Sequence, residues 1–179
     1  MSQKPVEKKI WIARDYDKCS GCRMCEIACS LKHEGRIWPE ASMVRVFMLI
    51  PGIEIPHLCT QCSDYPCVDA CTFEALSVDE KTGAVKVDSE KCTACGLCIT
   101  ACPGNIPHLH PNRKHVVICD LCGGDPECVK ICSRAGYNAL VVFPREPFYS
   151  TYDLYAKKPD ELTEDLASRL YGEKSKELM

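Results

Sequence analysis

Hydrophobic positions come in short runs broken by polar turns over most of the chain, and only the C-terminal tail carries a helical stripe. Lys9 to Ala13 reads as a short strand leading into a cysteine loop, and Ile27 to Leu31 begins a helix after that loop. Ile37 to Leu58 forms an insertion. Within it Met43 to Ile50, rich in Val, Met, Phe and Ile and bounded by Pro39 and Pro51-Gly52, fits a strand. Ala75 to Val78 and Ala84 to Val87 flank the polar, glycine-ended stretch Asp79 to Gly83 and predict a β-hairpin. Ala139 to Phe143 is a further apolar strand, after which Pro144 and Pro147 end the patterned region. From about Thr151 the chain is charged. Leu162, Leu166 and Leu170 then recur at i, i+4 and i+8 after Pro159-Asp160, the pattern of an amphipathic helix that either packs on its own domain or docks on a partner.

The 179 residues, 46% of them hydrophobic, suffice for one compact domain or two small fused ones. No apolar stretch reaches membrane-spanning length, and the run from Met43 to Ile50 already contains Arg45, so no direct membrane insertion is expected. The N-terminal MSQKPVEKKIW lacks an apolar core and a twin-arginine pair, which predicts a cytoplasmic protein with reduced thiols. A formal charge of −3, from 22 basic and 25 acidic residues, gives no argument for nucleic acid as a partner.

What changes the picture is cysteine: there are sixteen. The first group, Cys19, Cys22, Cys25 and Cys29, and the third, Cys92, Cys95, Cys98 and Cys102, both read C-x2-C-x2-C-x3-C. The third is followed by Pro103. This is the bacterial ferredoxin run, in which three close cysteines hold one cubane and the fourth ligates its neighbour. The second group, Cys59, Cys62, Cys67 and Cys71, and the fourth, Cys119, Cys122, Cys128 and Cys132, keep C-x2-C and C-x3-C around a longer middle gap. Turn-forming residues fill both gaps: Ser63 to Pro66 in one, Gly123 to Glu127 in the other. One grammar repeated four times with no cysteine left over reads as internal duplication. The sixteen cysteines are therefore candidate iron ligands for four 4Fe-4S clusters.

Two other uses of cysteine compete with iron. A disulfide framework needs an oxidising compartment and partners better placed than cysteines three residues apart. Zinc suits C-x2-C pairs, and one site, most readily the irregular fourth group, could hold zinc beside three iron clusters. A three-iron cluster at one site is a further variant. Lys18, Arg23 and Lys91 flank cysteine loops and read as solvated charges. Trp38 and Phe47 read as core or lid residues. His33, His57, His108, His110 and His115 match no metal motif, and the last three fall in a proline-rich stretch, Pro107 to His115, expected to be a surface connection. No phosphate loop, dinucleotide fingerprint or Ser-His-Asp order appears, so no catalytic residue is assigned and no substrate chemistry is expected of the chain alone.

With CTACGLCITACP and CTQCSDYPCVDAC in place, residues from about 8 to 150 resemble the four-cluster ferredoxin-like iron-sulfur subunits of molybdenum and tungsten oxidoreductases. The chain is most similar to the small subunit of tungsten aldehyde-oxidoreductase-type enzymes, including tungsten-dependent benzoyl-CoA reductase. The resemblance implies an α+β fold: two ferredoxin-like modules related by approximate two-fold symmetry in residues 1–150, with a C-terminal helical tail in 151–179. It also implies crossed ligation. One cluster would take Cys19, Cys22, Cys25 and Cys132, and its neighbour Cys29, Cys119, Cys122 and Cys128. In the other module Cys59, Cys62, Cys67 and Cys102 would share one cluster and Cys71, Cys92, Cys95 and Cys98 the other.

The function this implies is a relay of single electrons to or from the tungsten or molybdenum cofactor of a large catalytic subunit, with a further redox protein as donor or acceptor, in an anaerobic cytoplasmic complex. A free-standing polyferredoxin and a zinc-structured scaffold are the alternatives. Three cysteines depart from the ferredoxin pattern, because Cys29, Cys71 and Cys132 precede Ser30, Thr72 and Ser133 instead of proline.

Overall fold

The protein is described by a computed structural model covering residues 9–145 and 155–178. It is an α+β fold of small two-stranded sheets and short helices. Pro147, Thr151 and the expected boundary between 150 and 151 lie outside the described residues.

Strand β1 (Ile10–Arg14) pairs antiparallel with β8 (Leu140–Pro144), joining the two ends of the cysteine-rich region. Ile10 and Ile12 face inward at alternate positions, as a half-buried strand requires. Strands β2 (Arg45–Ile50) and β3 (Ile53–His57) form a hairpin through Pro51-Gly52, with a register shift between Phe47 and Ile50. The sequence pattern indicates only the first of these strands. Pro56 and the charged Glu54 hide β3, although Ile53, Ile55 and His57 are buried. The expected hairpin is present as β4 (Leu76–Val78) and β5 (Val85–Val87). Its turn is held by Asp79, whose Oδ1 accepts from the amides of Lys81 and Thr82 at 2.9 Å each. A fourth pair, β6 (His108–Leu109) and β7 (Val116–Val117), was not expected from the sequence.

Helix α1 (Met24–Glu34) begins inside the first cysteine loop, earlier than the hydrophobic pattern suggests. It ends at Gly35, whose φ of 68° lets its amide close back on Leu31. Helices α2 (Pro66–Asp69) and α3 (Leu97–Ala101) are short, and α4 (Glu127–Arg134) follows the fourth loop. Helix α1 packs on α4, and α2 packs on α3.

The two helix pairs sit in separate apolar clusters. One gathers Ile10, Ile12, Val44, Val46, Leu58, Leu121 and Leu140 around Cys25, Cys29, Cys119 and Cys128. The other gathers Leu76, Val85, Val116 and Ile118 around Cys67 and Cys98. Cys59 packs against both.

Helix α5 (Pro159–Tyr171) lies on the β2–β3 hairpin, sharing a core with Ile50, Ile53 and Ile55 through Leu162, Leu166 and Ala167. The helix is therefore used on its own chain. Its buried face is not the simple leucine stripe: Leu162 is 4% exposed and Leu170 57%, with Thr163 and Ala167 completing the inner side.

Candidate metal centres

The C-x3-C spacing sets two thiols four residues apart, one helical turn, so both emerge on one helix face. Cys25 and Cys29 do so on α1, and Cys128 and Cys132 on α4. Because α1 packs on α4, four cysteines meet between them. Cys67 lies on α2 with Cys71 just beyond it, Cys98 lies on α3 with Cys102 just beyond it, and the two helices meet likewise. Helices α1 and α4 therefore each carry two thiols on one face, whereas α2 and α3 each carry one, with the second just past the helix end.

The outcome is four sets of thiols. A small pocket is lined by Cys19, Cys22, Cys25 and Cys132, together with Met24, Val46, Leu140 and Tyr137. A second is lined by Cys71, Cys92, Cys95 and Cys98 with Phe73, Leu76, Leu97 and Val116. Cys59 is close enough to Cys67, Cys62 and Cys102 to feel their charge. Cys128 feels Cys29 and Cys122, and Cys119 feels Cys128 and Cys29. The structure thus gathers Cys19, Cys22, Cys25 and Cys132 at one pocket and Cys71, Cys92, Cys95 and Cys98 at another, and places the remaining sequence-predicted thiols within electrostatic reach of one another between them.

Neighbouring sets also lie within electrostatic reach of one another. Cys128 senses Cys25, Cys119 senses Cys59, and Cys67 senses Cys98, linking first to second, second to third and third to fourth. Cys22 and Cys95, in the two outermost sets, are the exposed thiols of the sixteen.

All four loops use one backbone device. The residue just before the second cysteine is left-handed: Gly21 at φ 67°, Gln61 at 55°, Ala94 at 58° and Leu121 at 56°. That conformation turns successive amides toward one concave side, a shape suited to anions. The amides of Gly21, Gln61 and Leu121 donate to the sulfurs of Cys19, Cys59 and Cys119. At Gly21 a β-carbon would stand 2.7 Å from the Glu54 carboxyl carbon, so the Glu54 carboxylate packs directly against this loop. Further donors reach sulfur from Met43 N to Cys29 and from Ala75 N to Cys71, both at 3.3 Å. Thr60 Oγ1 lies 3.0 Å from Cys62 Sγ. Amide donation to cluster sulfur is a main lever on reduction potential.

Burial pushes the Cys25, Cys59 and Cys67 thiols up to about 12, and Cys98 and Cys122 up to about 11, with neighbouring sulfurs adding to each shift. Cys119 and Cys128 are raised well above the ordinary thiol value for the same reason. Bare thiolates are therefore unstable here. A polycationic centre that binds all four sulfurs of a set would displace the protons and remove the penalty. The described cysteines are free thiols, so they form no disulfide framework.

Ser30 and Ser133 have a structural reason to replace proline. Both lie inside helices that continue beyond them, where proline would remove an amide donor and clash with the preceding turn. Ser30 Oγ also accepts from Trp38 N at 3.1 Å. Cys102, by contrast, ends its helix, and Pro103 follows without conflict.

The other candidates fall out differently. Lys18 pairs with Asp15 at 2.7 Å on the surface. Arg23 lines the first pocket and reaches Glu26 at 3.5 Å. The proline-rich stretch is not merely a surface connection. His110 is buried, its Nδ1 accepts from the amides of Asn112 and Arg113 at 3.1 Å each, and its Nε2 faces Glu34 at 3.4 Å. His57 is buried as well. His33 Nε2 stands 3.7 Å from Cys122 Sγ and 3.5 Å from Asp120 Oδ1. Sequence patterns gave no sign of Glu26, Glu54 or Arg14, which put buried or close charges beside the thiol sets.

Comparison with known proteins agrees with this chemistry. The 4Fe-4S dicluster domain family matches residues 52–140, and the 4Fe-4S binding domain family matches residues 16–32. The chain is 56% identical over 170 residues to the polyferredoxin-like subunit of aliphatic sulfonate oxidoreductase from Pyrococcus furiosus, covering 94% of this chain and 96% of that one. It is 31% identical to electron transport protein HydN of Escherichia coli, over 75% of this chain and 88% of that one. It is 30% identical to the iron-sulfur subunit of formate dehydrogenase-O from the same organism, over 66% of this chain and 48% of that one. A chain of the BamBC active-site complex of benzoyl coenzyme A reductase aligns over 92% of both chains at 25% identity, with a TM-score of 0.45. The chain belongs to the family of 4Fe-4S electron-transfer subunits of oxidoreductases.

Proposed function

We propose that this chain holds four 4Fe-4S clusters in a row and serves as the electron relay of a cytoplasmic oxidoreductase complex. The ligand sets are Cys19, Cys22, Cys25, Cys132; Cys29, Cys119, Cys122, Cys128; Cys59, Cys62, Cys67, Cys102; and Cys71, Cys92, Cys95, Cys98. The observation that carries this is the pair of four-cysteine pockets, with the other thiols within electrostatic reach of one another between them. Bound cubanes supply one-electron chemistry at potentials set by their surroundings. The chain's residues fix the ligands on paired helices, aim backbone amides at sulfur and wall off the sites with apolar side chains. The exposed Cys22 and Cys95 mark the two ends where electrons enter and leave. The paired helices and repeated loops also support two modules related by an approximate two-fold.

The identity to the aliphatic sulfonate oxidoreductase subunit supports a catalytic partner of that kind ahead of benzoyl-CoA reductase. That partner would carry the tungsten cofactor expected from the sequence resemblance. Apolar Phe73 and Leu97 are exposed beside the Cys95 set and suit docking of a redox partner. The test is affinity capture of the full chain from native anaerobic extract. A stoichiometric tungsten-containing subunit that the chain reduces or oxidises supports the relay. Recovery only as a monomer exchanging electrons with several proteins would instead make it a free polyferredoxin.

A further inference from the structure

Arg14, the last residue of β1, is a buried cation with no carboxylate in ion-pair range among the described residues. Its side chain is 4% exposed, and its Nε and Nη1 are buried without a hydrogen-bond partner. Nη2 donates to the carbonyls of Leu58 at 2.5 Å and Cys59 at 3.1 Å, and the buried Tyr16 hydroxyl lies beside the guanidinium. The Tyr155 ring lies 4.6 Å from the guanidinium carbon. Arginine keeps its proton even when buried, so it cannot escape the cost of burial by becoming neutral. An uncompensated charge in an apolar interior is expensive, and two carbonyls, one tyrosine hydroxyl and one aromatic face are all neutral groups that compensate it only in part.

The neighbouring thiol set offers an anion. Arg14 grips the backbone of Cys59, the thiol that packs against both apolar clusters and that Cys119 senses from the neighbouring set. A cubane with four thiolates is a buried dianion. The far end of the row has the opposite charge: Glu26 is buried beside Cys25, and Glu54 stands against the loop of Cys19.

We propose that Arg14 is the counter-charge of the cluster held by Cys59, Cys62, Cys67 and Cys102, and that it raises that cluster's reduction potential. It thereby makes the junction between the two halves an electron sink relative to the Glu26-flanked end. Arg14 is a positioning residue that acts on the cluster through its field. The inference rests on reading the thiol sets as cubane sites.

The experiment compares wild type, Arg14→Gln and Arg14→Lys as full chains purified anaerobically, by iron content and by EPR-monitored reductive titration. The junction cluster is identified as the one perturbed by Cys62→Ser. Arg14→Gln is expected to retain iron and to shift the reduced-to-oxidised ratio of that one cluster about tenfold toward oxidised at fixed potential, which is about 59 mV for one electron. Arg14→Lys, which keeps the charge, restores most of the shift. Full iron with an unchanged potential, or an equal shift in Arg14→Lys, overturns the inference. Should Arg14→Gln not fold, Tyr155→Glu sets a carboxylate against the same guanidinium from a half-buried position. It lowers the same potential if the inference holds and leaves it unmoved if not. Wild-type protein without iron would overturn the cluster reading itself and this inference with it.

Discussion

Gln61 Nε2 donates to the backbone carbonyl of Cys119 at 3.2 Å, across the seam between the two halves of the cysteine framework. Gln61 is fully buried and precedes Cys62, while Cys119 opens the fourth loop. One side chain therefore ties the second cysteine loop to the fourth across that seam. Gln61→Met keeps the volume and removes the donor to the Cys119 carbonyl, a loss that outweighs the relief of also removing the buried, unpartnered Gln61 Oε1. The expected cost is about 1–3 kcal/mol, read from the denaturant midpoint of the anaerobic protein. An unchanged midpoint would show the contact to be dispensable.

The exposed end ligands allow single clusters to be removed. Cys95→Ser is expected to lower iron by about one quarter, one cubane of four, and to slow electron delivery while leaving the partner's own substrate binding intact. Cys22→Ser should do the same at the other end. Iron and turnover both equal to wild type would refute the ligand assignment at that position.

The tail helix contributes to stability through one face. Leu162→Ala opens a cavity against Ile53 and Ile55 and should cost about 2–5 kcal/mol, whereas exposed Leu170→Ala should stay within about 0.5 kcal/mol. Thermal or denaturant unfolding of the two variants checks the contrast. Equal effects would mean that the helix is not held by this face.

His57 makes stability fall in mild acid. Burial, then the nearby Arg14 and Arg45 charges, pushes its pKa down to about 4, and its Nε2 meets the carbonyl of Lys157 at 3.2 Å. In the unfolded chain it titrates near about 6.5. Between those values the unfolded state binds a proton that the folded state refuses. The contribution is thus present above about pH 6.5 and is lost as pH falls toward about 4, up to about 3 kcal/mol in all. Unfolding midpoints between pH 7.5 and 5 should fall in wild type and fall less in His57→Gln. Parallel slopes would exclude His57 as the cause.

Much of the site was legible because ligand spacing is local. C-x2-C and C-x3-C are set by loop and helix geometry, so the sequence indicates thiols that the fold then collects. The β4–β5 hairpin and the tail helix were equally plain, since alternation and helical period are short-range signals. What stayed hidden is long-range or charge-based. The pairing of Ile10–Arg14 with Leu140–Pro144 spans almost the whole described cysteine region, and no local pattern encodes it. Strand β3 was masked by Pro56 and Glu54. His110 looked like loop because it follows Pro107, yet it is held by local amides and faces Glu34. Arg14 looks in sequence like any arginine ending a strand; only the fold reveals that it is buried beside Cys59.

The most direct test of the relay is the iron, acid-labile sulfide and zinc content of anaerobically purified protein, with EPR of the dithionite-reduced sample. Four cubanes predict about sixteen irons and as many sulfides per chain, with interacting signals from neighbouring reduced clusters. About twelve irons and one zinc would make one set a structural staple and break the row, and zinc without iron would contradict the account.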